Sequence, residues 1–474
     1  MKRIAVVGAG IAGLCTTYYL YKHFQQEGRP LEIVLLEKEG RLGGTIFTER
    51  TDGLLIEGGP DCFLSEKPWA LQLCRTLGLE GELTGTNQQV RRTFILWKGK
   101  LHELPEGFML LVPTAFWPFI KSSLVSPLSK LRMGLDLILP RKGSDEEESL
   151  ADFVRRRLGK EALERIAEPL AAGIHAGNPE TMSLKSTFPR FIDLEKGYRS
   201  LIWGMYQRRK RFVTNTTVPS GYSMFLTLRE GLEQMVSALT SALPSSTISL
   251  NREVVEVEKM ASDKGGALQY HVKVKGNQKG LTVDALVIAT PSYTSGSILK
   301  KVDEPLSHEL LSIPYCSTAT INLAYHRTQI GHPLDGYGFV VPRVERRAIM
   351  ATTFSSVKFA QRAPEGTVLL RSFVGGANNE ELVSLNDDQL LSVVRQDIDE
   401  ILKIEGKPFL VRIFRWEKAM PQYILGHEER LAHIEKLLVR NPGLFLTGSA
   451  YRGIGISDCV HEAKLTAEKI LQSL

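Results

Sequence analysis

The sequence predicts an α/β protein in which a parallel-sheet unit is assembled from three separated stretches of chain, with further domains inserted between them. Three observations predict it. An apolar strand at the N-terminus runs straight into a glycine-rich turn and a helix; two more buried-strand runs end in small-residue turns hundreds of residues later; and the intervening chain is helical first and strand-rich afterwards.

The first strand, Ile4-Ala5-Val6-Val7, leads into Gly8-Ala9-Gly10-Ile11-Ala12-Gly13. Gly8 permits the tight turn, Gly10 carries no Cβ to block an approaching phosphate, and Gly13 lets the following helix pack closely. The helix N-terminus then presents free N–H groups and the positive end of its dipole to an anion. Leu14, Tyr18 and Tyr21 recur at helical spacing, Glu27-Gly28-Arg29-Pro30 breaks the pattern, and a second strand over Leu31–Leu36 ends in Glu37. Glu37 lies 24 residues past Gly13, where a βαβ unit sets a carboxylate against ribose hydroxyls. The unit therefore reads as a Rossmann-like dinucleotide site that disfavours NADP.

Two glycine pairs follow, in Lys38-Glu39-Gly40-Arg41-Leu42-Gly43-Gly44-Thr45 and in Leu55-Ile56-Glu57-Gly58-Gly59-Pro60-Asp61. Paired glycines lose much conformational freedom on ordering, so they suggest backbone pressed against something flat or anionic. Far along the chain lie Val283-Asp284-Ala285-Leu286-Val287-Ile288-Ala289-Thr290-Pro291, then Gly443-Leu444-Phe445-Leu446-Thr447-Gly448-Ser449, and Gly453-Ile454-Gly455-Ile456-Ser457-Asp458-Cys459 before a terminal helix. Taken together these segments resemble the FAD-binding sequence of the amine oxidase and protoporphyrinogen oxidase superfamily. The resemblance implies FAD as cofactor, held by Gly8, Ala9, Gly10, Ile11, Ala12 and Gly13; by Glu37, Lys38, Arg41, Gly43, Gly44 and Thr45; and by Gly59, Pro60 and Asp61. It adds Val254, Trp416, Gly448, Gly455 and Ile456 from the distant segments.

Between the cofactor segments, residues from about Asn87 to Arg211 read as mostly helical, with Ser149 opening an amphipathic helix after the acidic linker 144–148. The basic run Arg208-Arg209-Lys210-Arg211 leads to a polar loop over 214–221. Short strands between Ala319 and Phe373 suggest an antiparallel sheet flooring a substrate cavity, and 386–402 reads as one amphipathic helix. The expected division is 1–86, 215–295 and 426–474 for the FAD-binding domain, 87–214 for an inserted helical domain of membrane-binding type, and 296–425 for an α+β substrate domain.

Composition narrows the classes. At 474 residues, 43% hydrophobic and 24% charged, the chain is long enough for two or three globular domains. A net charge of +6 without basic tracts interleaved with aromatics argues against nucleic acid and favours an acidic small molecule or a membrane surface. Five scattered cysteines show no metal-type spacing, so no metal is expected and reduced thiols in the cytoplasm are the simplest account. No stretch reaches the ~20 apolar residues of a spanning helix. The apolar run 108–120 is a candidate for a substrate mouth or a weak peripheral membrane contact.

Hydrolase elbows, zinc spacings and phosphate-binding lysine motifs are all missing from the sequence, which suits chemistry carried by a cofactor. Glu168-Pro169-Leu170-Ala171-Ala172-Gly173-Ile174-His175-Ala176-Gly177-Asn178-Pro179, followed by Leu184-Lys185-Ser186-Thr187-Phe188-Pro189, resembles the signature of the FAD- and oxygen-dependent protoporphyrinogen oxidase family, and Arg415-Trp416-Glu417-Lys418-Ala419-Met420-Pro421-Gln422-Tyr423 resembles that family's segment at the isoalloxazine ring. That likeness implies six-electron oxidation of a porphyrinogen to a porphyrin with molecular oxygen as acceptor, in haem biosynthesis. It assigns no side-chain acid or base. Thr93 stands where the organellar members carry a propionate-binding Arg, and Lys67 follows the Gly-Gly-Pro-Asp segment. Both features resemble the soluble bacterial subgroup that oxidises coproporphyrinogen III. For its four propionates the candidates are Lys67, Arg208, Arg209 and Arg371; for the tetrapyrrole face, Gly173, Ile174, Phe354, Phe373 and Met420. Oxidation of protoporphyrinogen IX is the alternative, an amine or carotenoid oxidoreductase a more distant one, and a non-catalytic, flavin-loaded tetrapyrrole-binding protein the alternative from another class. A haem-pathway partner for handover is compatible with each porphyrin reading.

Overall fold

The structure, a computed structural model, describes residues 2–28, 31–105, 108–109, 112–113, 116–144, 146–212, 222–261 and 268–473. The chain starts with β1 (Lys2–Val7), α1 (Ile11–Glu27) and β2 (Leu31–Leu36), followed by α2 (Pro68–Thr76). Two strands, β3 (Phe94–Trp97) and β4 (Lys100–Glu103), precede helices α3 (Pro127–Gly134), α4 (Leu150–Arg157), α5 (Glu168–His175), α6 (Pro189–Tyr198) and α7 (Leu201–Phe212). Next come β5 (Ile248–Ser249), β6 (Ala285–Ile288), β7 (Tyr315–His326), β8 (Gly338–Val340), β9 (Ile349–Phe354) and β10 (Thr367–Gly375). Helix α8 (Asp387–Leu402), β11 (Leu410–Pro421), β12 (Leu444–Leu446) and α9 (Ile456–Ser473) complete the set used below.

A five-stranded sheet runs β5-β2-β1-β6-β12, and every neighbouring pair is parallel. Parallel sheets are covered on both faces, which explains the unbroken apolar runs of β1 and β6. Leu14, Tyr18, Val460, Ala463 and Ile470 from α1 and α9 pack on the face that carries Ile4 and Val6. The opposite face, with Ala5, Val7, Leu286 and Ile288, meets Val257, Tyr270, Leu306 and Leu431.

The second sheet has the order β11-β7-β10-β9-β8-β3-β4. Side chains alternate across it: Ala319, Ile321, Leu323 and Tyr325 of β7 join Leu390, Val394, Ile398 and Leu402 of α8 in one core. Ala324 faces the other way, packed with Leu54 and Ile56. Strands β3 and β4 are a correction to the sequence reading, which placed 94–103 in the helical insertion. Phe94 pairs with Phe339 of β8, a partner almost 250 residues away, so no local pattern could reveal the sheet it joins.

The helices between 127 and 212 pack through Phe153, Val154, Ile166, Phe191 and Leu194. Ser149 caps α4 by accepting from Asp152 N at 3.0 Å, the N-terminal signal read from sequence. At the centre, Arg157 and Asp136 are both fully buried. Arg157 Nε donates to Asp136 Oδ1 at 2.6 Å, its Nη2 to Asp136 O at 2.8 Å and Arg199 O at 2.7 Å. Asp136 Oδ2 accepts from Ser200 Oγ at 2.6 Å and Ile202 N at 3.0 Å. Among the described residues no helix is long and apolar enough to cross a membrane. The loop 214–221 and the side chains of 108–118, with Arg209, lie outside the described residues.

Candidate cofactor and active site

The turn between β1 and α1 is built around two close approaches and one opening. A Cβ on Gly13 would lie 1.9 Å from Gly8 O, so only glycine lets the helix start this close to the turn. A Cβ on Gly10 would meet nothing within 4 Å: the space in front of the α1 amides is open. The buried Glu37 carboxylate accepts from Ala9 N at 2.6 Å and Glu39 N at 3.0 Å, which fixes it at the end of β2 beside that opening. Gly43 N donates to Ala9 O at 2.8 Å and brings the first glycine pair against the turn. Arg41 holds this pair in place, donating to the carbonyls of Leu42, Gly44 and Ile46. Lys38 is exposed beside Glu39, and Val254 packs with Val7 and Leu36.

The second glycine pair is pressed on the protein itself. A Cβ on Gly59 would lie 1.7 Å from Thr45 O, while one on Gly58 would meet the rings of Phe47 and Phe414 at 3.0 and 3.2 Å. Gly58 O accepts from Trp416 Nε1 at 2.8 Å and Thr320 Oγ1 at 2.9 Å, so two strands of the large sheet fix this segment. Asp61, after Pro60, accepts from Lys358 Nζ at 2.9 Å, and Arg371 donates to Gly59 O. Burial opposes the Asp61 charge, but Lys358 and Arg371 overcome it and hold the carboxyl well below the usual range. Burial pushes the neighbouring Cys62 thiol up to about 12. Asn322, fully buried and paired in register with Arg371, has both amide atoms without a partner among the described residues, as has Arg371 Nε. Unsatisfied buried donors at this face fit a polar group that binds against Gly58–Asp61.

The C-terminal glycine segment is braced from below. Tyr423 OH donates to Ser449 O at 2.6 Å and accepts from Gly453 N at 2.8 Å; His427, stacked on Tyr423 at 4.2 Å, donates through Nε2 to Tyr451 O at 2.9 Å. Gly448, Gly455 and Ile456 thus enter α9 from a loop with fixed shape. Asp458 in its first turn binds Lys67 Nζ at 2.6 Å.

Of the residues expected to meet a substrate, Gly173 and Ile174 lie in the last turn of α5. Gly173 is exposed and Ile174 is 45% exposed, whereas Phe373 and Met420 are half-buried. Gln422 Nε2 donates to His175 O at 3.1 Å and Ala377 N to Ala176 O at 2.8 Å, which fastens α5 to the ends of β10 and β11. Ala176 adopts φ +50°, a left-handed conformation that costs a non-glycine residue energy and is held by these contacts. Two expectations are corrected. Phe354 is fully buried against Phe339 in the core on the other side of the sheet, because its strand parity matches Leu370 rather than Arg371. Arg371 is 3% exposed behind Gly59, with its guanidinium over the Phe373 ring at 4.7 Å. Lys67, 42% exposed, pairs with Asp458. Lys358 and His427 escaped the sequence reading: the Lys358–Asp61 pair spans 297 positions and carries no spacing signal.

Glu168 begins α5, buried, with Arg343 N donating to Oε2 at 3.0 Å. Burial raises its pKa from 4.5 to about 7 against that hydrogen bond. The folded protein therefore holds a proton that the unfolded chain releases above 4.5; the stability this confers is complete below 4.5 and lost as pH rises through 7. Glu168→Gln is expected to melt like the parent at pH 5 and to gain stability at pH 8, by up to about 3 kcal/mol from 1.36 kcal/mol per pKa unit. Thermal melts across that range decide it; a gap independent of pH would contradict the assignment.

Comparison with known proteins places this geometry. Residues 11–471 match the model of the flavin-containing amine oxidoreductases. The chain belongs to that family. It is a flavoprotein, and the cradle of open Gly10, pinned Glu37 and three converging glycine segments fits FAD, its cofactor. The family chain is 33% identical over its whole length to a coproporphyrinogen III oxidase of Bacillus subtilis (strain 168), covering 98% of that protein. It is 32% identical to the Staphylococcus aureus coproporphyrinogen III oxidase with complete coverage of both chains. The chloroplastic protoporphyrinogen oxidase of Nicotiana tabacum is 31% identical, over 98% of this chain and 84% of that one. A crystal structure of an Exiguobacterium sp. 255-15 protein, provisionally assigned as a protoporphyrinogen oxidase, superposes with a TM-score of 0.86 at 32% identity, covering 100% and 99% of the two chains.

Proposed function

We propose that this flavoprotein oxidises coproporphyrinogen III to coproporphyrin III, with three dioxygen molecules reduced to three of hydrogen peroxide, in haem biosynthesis. The observation that carries the reading is full-length similarity to bacterial coproporphyrinogen III oxidases at 31–33% identity. When bound, FAD supplies two-electron oxidation and passes the electrons to oxygen. The chain's own residues orient and exclude water. Trp416 and Thr320 fix the Gly58 carbonyl, Tyr423 and His427 fix the loop before α9, and Gly173, Ile174, Phe373 and Met420 offer a largely apolar surface for a tetrapyrrole. In this reading segments 1–86, 215–295 and 426–474 serve the cofactor.

The cytoplasm is the proposed location, with weak peripheral contact to a membrane. Leu128, Leu131, Ile138 and Trp203 of the helical region are exposed, at 77%, 72%, 68% and 48%, and supply apolar side chains suited to a bilayer interface. Steady-state kcat/KM for coproporphyrinogen III and protoporphyrinogen IX, read by porphyrin fluorescence, tests the function. The four-propionate substrate is expected to be favoured by about tenfold or more, the worth of one added charge-assisted hydrogen bond. Equal or better use of protoporphyrinogen IX would reverse the substrate assignment. A flavin that stays yellow on anaerobic mixing with either porphyrinogen would favour the binding protein.

A further inference from the structure

A cavity of about 580 Å³ opens on the helical region, lined by Pro140 and Arg141, by Lys196, Tyr198 and Arg199 at the end of α6, and by Trp203 in the first turn of α7. Its volume is that of a small-molecule site. The buried Arg157–Asp136 pair shapes it from beneath. Arg157 Nη1 donates to Pro140 O at 3.0 Å and Nη2 to Arg199 O at 2.7 Å, so a single guanidinium ties the two segments that border the opening. Asp136 fixes the start of α7 through Ser200 Oγ and Ile202 N. A buried ion pair is a weak source of stability by itself. Here it sets the spacing of the backbone around a cavity.

The lining is cationic. Arg141, Lys196 and Arg199 contribute three basic groups, and none of the described lining residues is acidic. The nearby carboxylates are committed elsewhere, Asp136 to Arg157, and Glu148 and Glu195 to Arg156. Arg199 donates through Nη2 to Ile138 O at 3.1 Å and through Nε to Leu139 O at 3.4 Å; among the described residues neither it nor Arg141 has a carboxylate partner. The rim is apolar. Leu135, Leu137 and Ile138, in the stretch that Arg199 holds, are exposed, as are Trp203 and Tyr206, whose rings stack at 5.6 Å. Indole and phenol rings settle at the headgroup level of a bilayer, and basic side chains beside them gain from an anionic surface. A small soluble anion would account for the arginines but not for the apolar rim.

We infer that this cavity binds the phosphate of an anionic glycerophospholipid, with Arg141 and Arg199 on the phosphate, Trp203 at the headgroup level and Leu137 and Ile138 toward the acyl chains. The inference rests on the peripheral membrane contact proposed above, to which it adds a lipid class and a site.

The test uses FAD-loaded protein, sedimented with vesicles of phosphatidylcholine alone or of equimolar phosphatidylcholine and phosphatidylglycerol. In a second arm, dihexanoylphosphatidylglycerol below its micellar concentration is titrated while tryptophan emission is followed, with Trp203→Phe identifying the share of Trp203. The parent is expected to bind the mixed vesicles and not the neutral ones, and its emission to respond to the soluble lipid but not to inorganic phosphate at the same concentration. Arg141→Gln and Arg199→Gly should each lose about fivefold in partition onto mixed vesicles, the worth of one basic group at an anionic surface, and Arg141→Glu about 25-fold. Both sites tolerate the change: Arg199 has φ +64°, which glycine adopts freely, and the Arg141 side chain holds no hydrogen bond or ion pair among the described residues, so melting temperatures should match the parent. Lys464→Glu on α9 should leave partition as it is; an equal loss there would reduce the effect to net charge and overturn the site. Unchanged partition in the arginine variants would overturn the site and leave the peripheral contact standing. A parent that ignores all vesicles, while soluble lipid still shifts Trp203 emission only when Arg199 is present, would overturn the membrane contact and leave the headgroup site. Inorganic phosphate that matches the soluble lipid would overturn the lipid assignment.

Discussion

Gly10→Val is expected to give a folded protein that purifies without the yellow colour of a flavin. The reason is the contrast within one turn. A Cβ on Gly10 meets no protein atom within 4 Å, and its φ of −67° and ψ of 177° are open to any residue, so the substitution does not strain the apoprotein. The branched side chain instead fills the space in front of the α1 amides where a pyrophosphate must lie. FAD content, read as the 450 nm to 280 nm absorbance ratio, should fall below about a tenth of the parent, equivalent to a loss of at least about 1.4 kcal/mol in cofactor binding. Gly13→Val provides the comparison: its Cβ would overlap Gly8 O at 1.9 Å, so the fold itself should fail and little soluble protein should be recovered. Normal flavin content in Gly10→Val would show that the pyrophosphate lies elsewhere.

Asp136→Ala should be the most destabilising single change in the helical region. It strands the Arg157 guanidinium at zero exposure, leaving Glu195 at 3.5 Å as a distant carboxylate, and it removes the acceptor of Ser200 Oγ and Ile202 N. Breaking a buried pair by removing one partner costs about 3–5 kcal/mol, because an uncompensated charge remains in a poorly polarisable interior. Replacing both members with apolar residues, as in Asp136→Leu with Arg157→Met, should cost less than Asp136→Ala alone. Urea unfolding and limited trypsinolysis of the region 127–212 measure the difference; a double variant weaker than the single one would mean that the remaining hydrogen bonds of the network, not its charge balance, dominate.

The cofactor half of the molecule was legible because its signals are local. Gly8, Gly10 and Gly13 lie within six positions, Glu37 follows at the length of one helix and one strand, and the buried β1 and β6 are continuous apolar runs. The substrate half depends on long-range parity and was read less well. Phe354 and Arg371 were chosen for chemistry suited to a porphyrin, but which face of a strand a residue occupies is set by the register of β9 on β10, which no single strand encodes. The place of the 94–103 strands in the large sheet was not legible for a related reason, since their partner β8 lies far along the chain.

The order of strands in the parallel sheet bears on biosynthesis. Strand β12 is hydrogen-bonded to β6, and α9 packs on α1, so segment 444–473 completes a cradle whose first half lies more than 400 residues earlier in the chain. At about 5–20 residues per second the nascent polypeptide waits roughly 20–90 s between emergence of the phosphate turn and arrival of its final partner. During that interval the apolar side of α1 has no cover from α9, and vitamin loading is a closing event of synthesis rather than a nucleus for it. Truncation ahead of β12 should therefore yield colourless, chaperone-bound product.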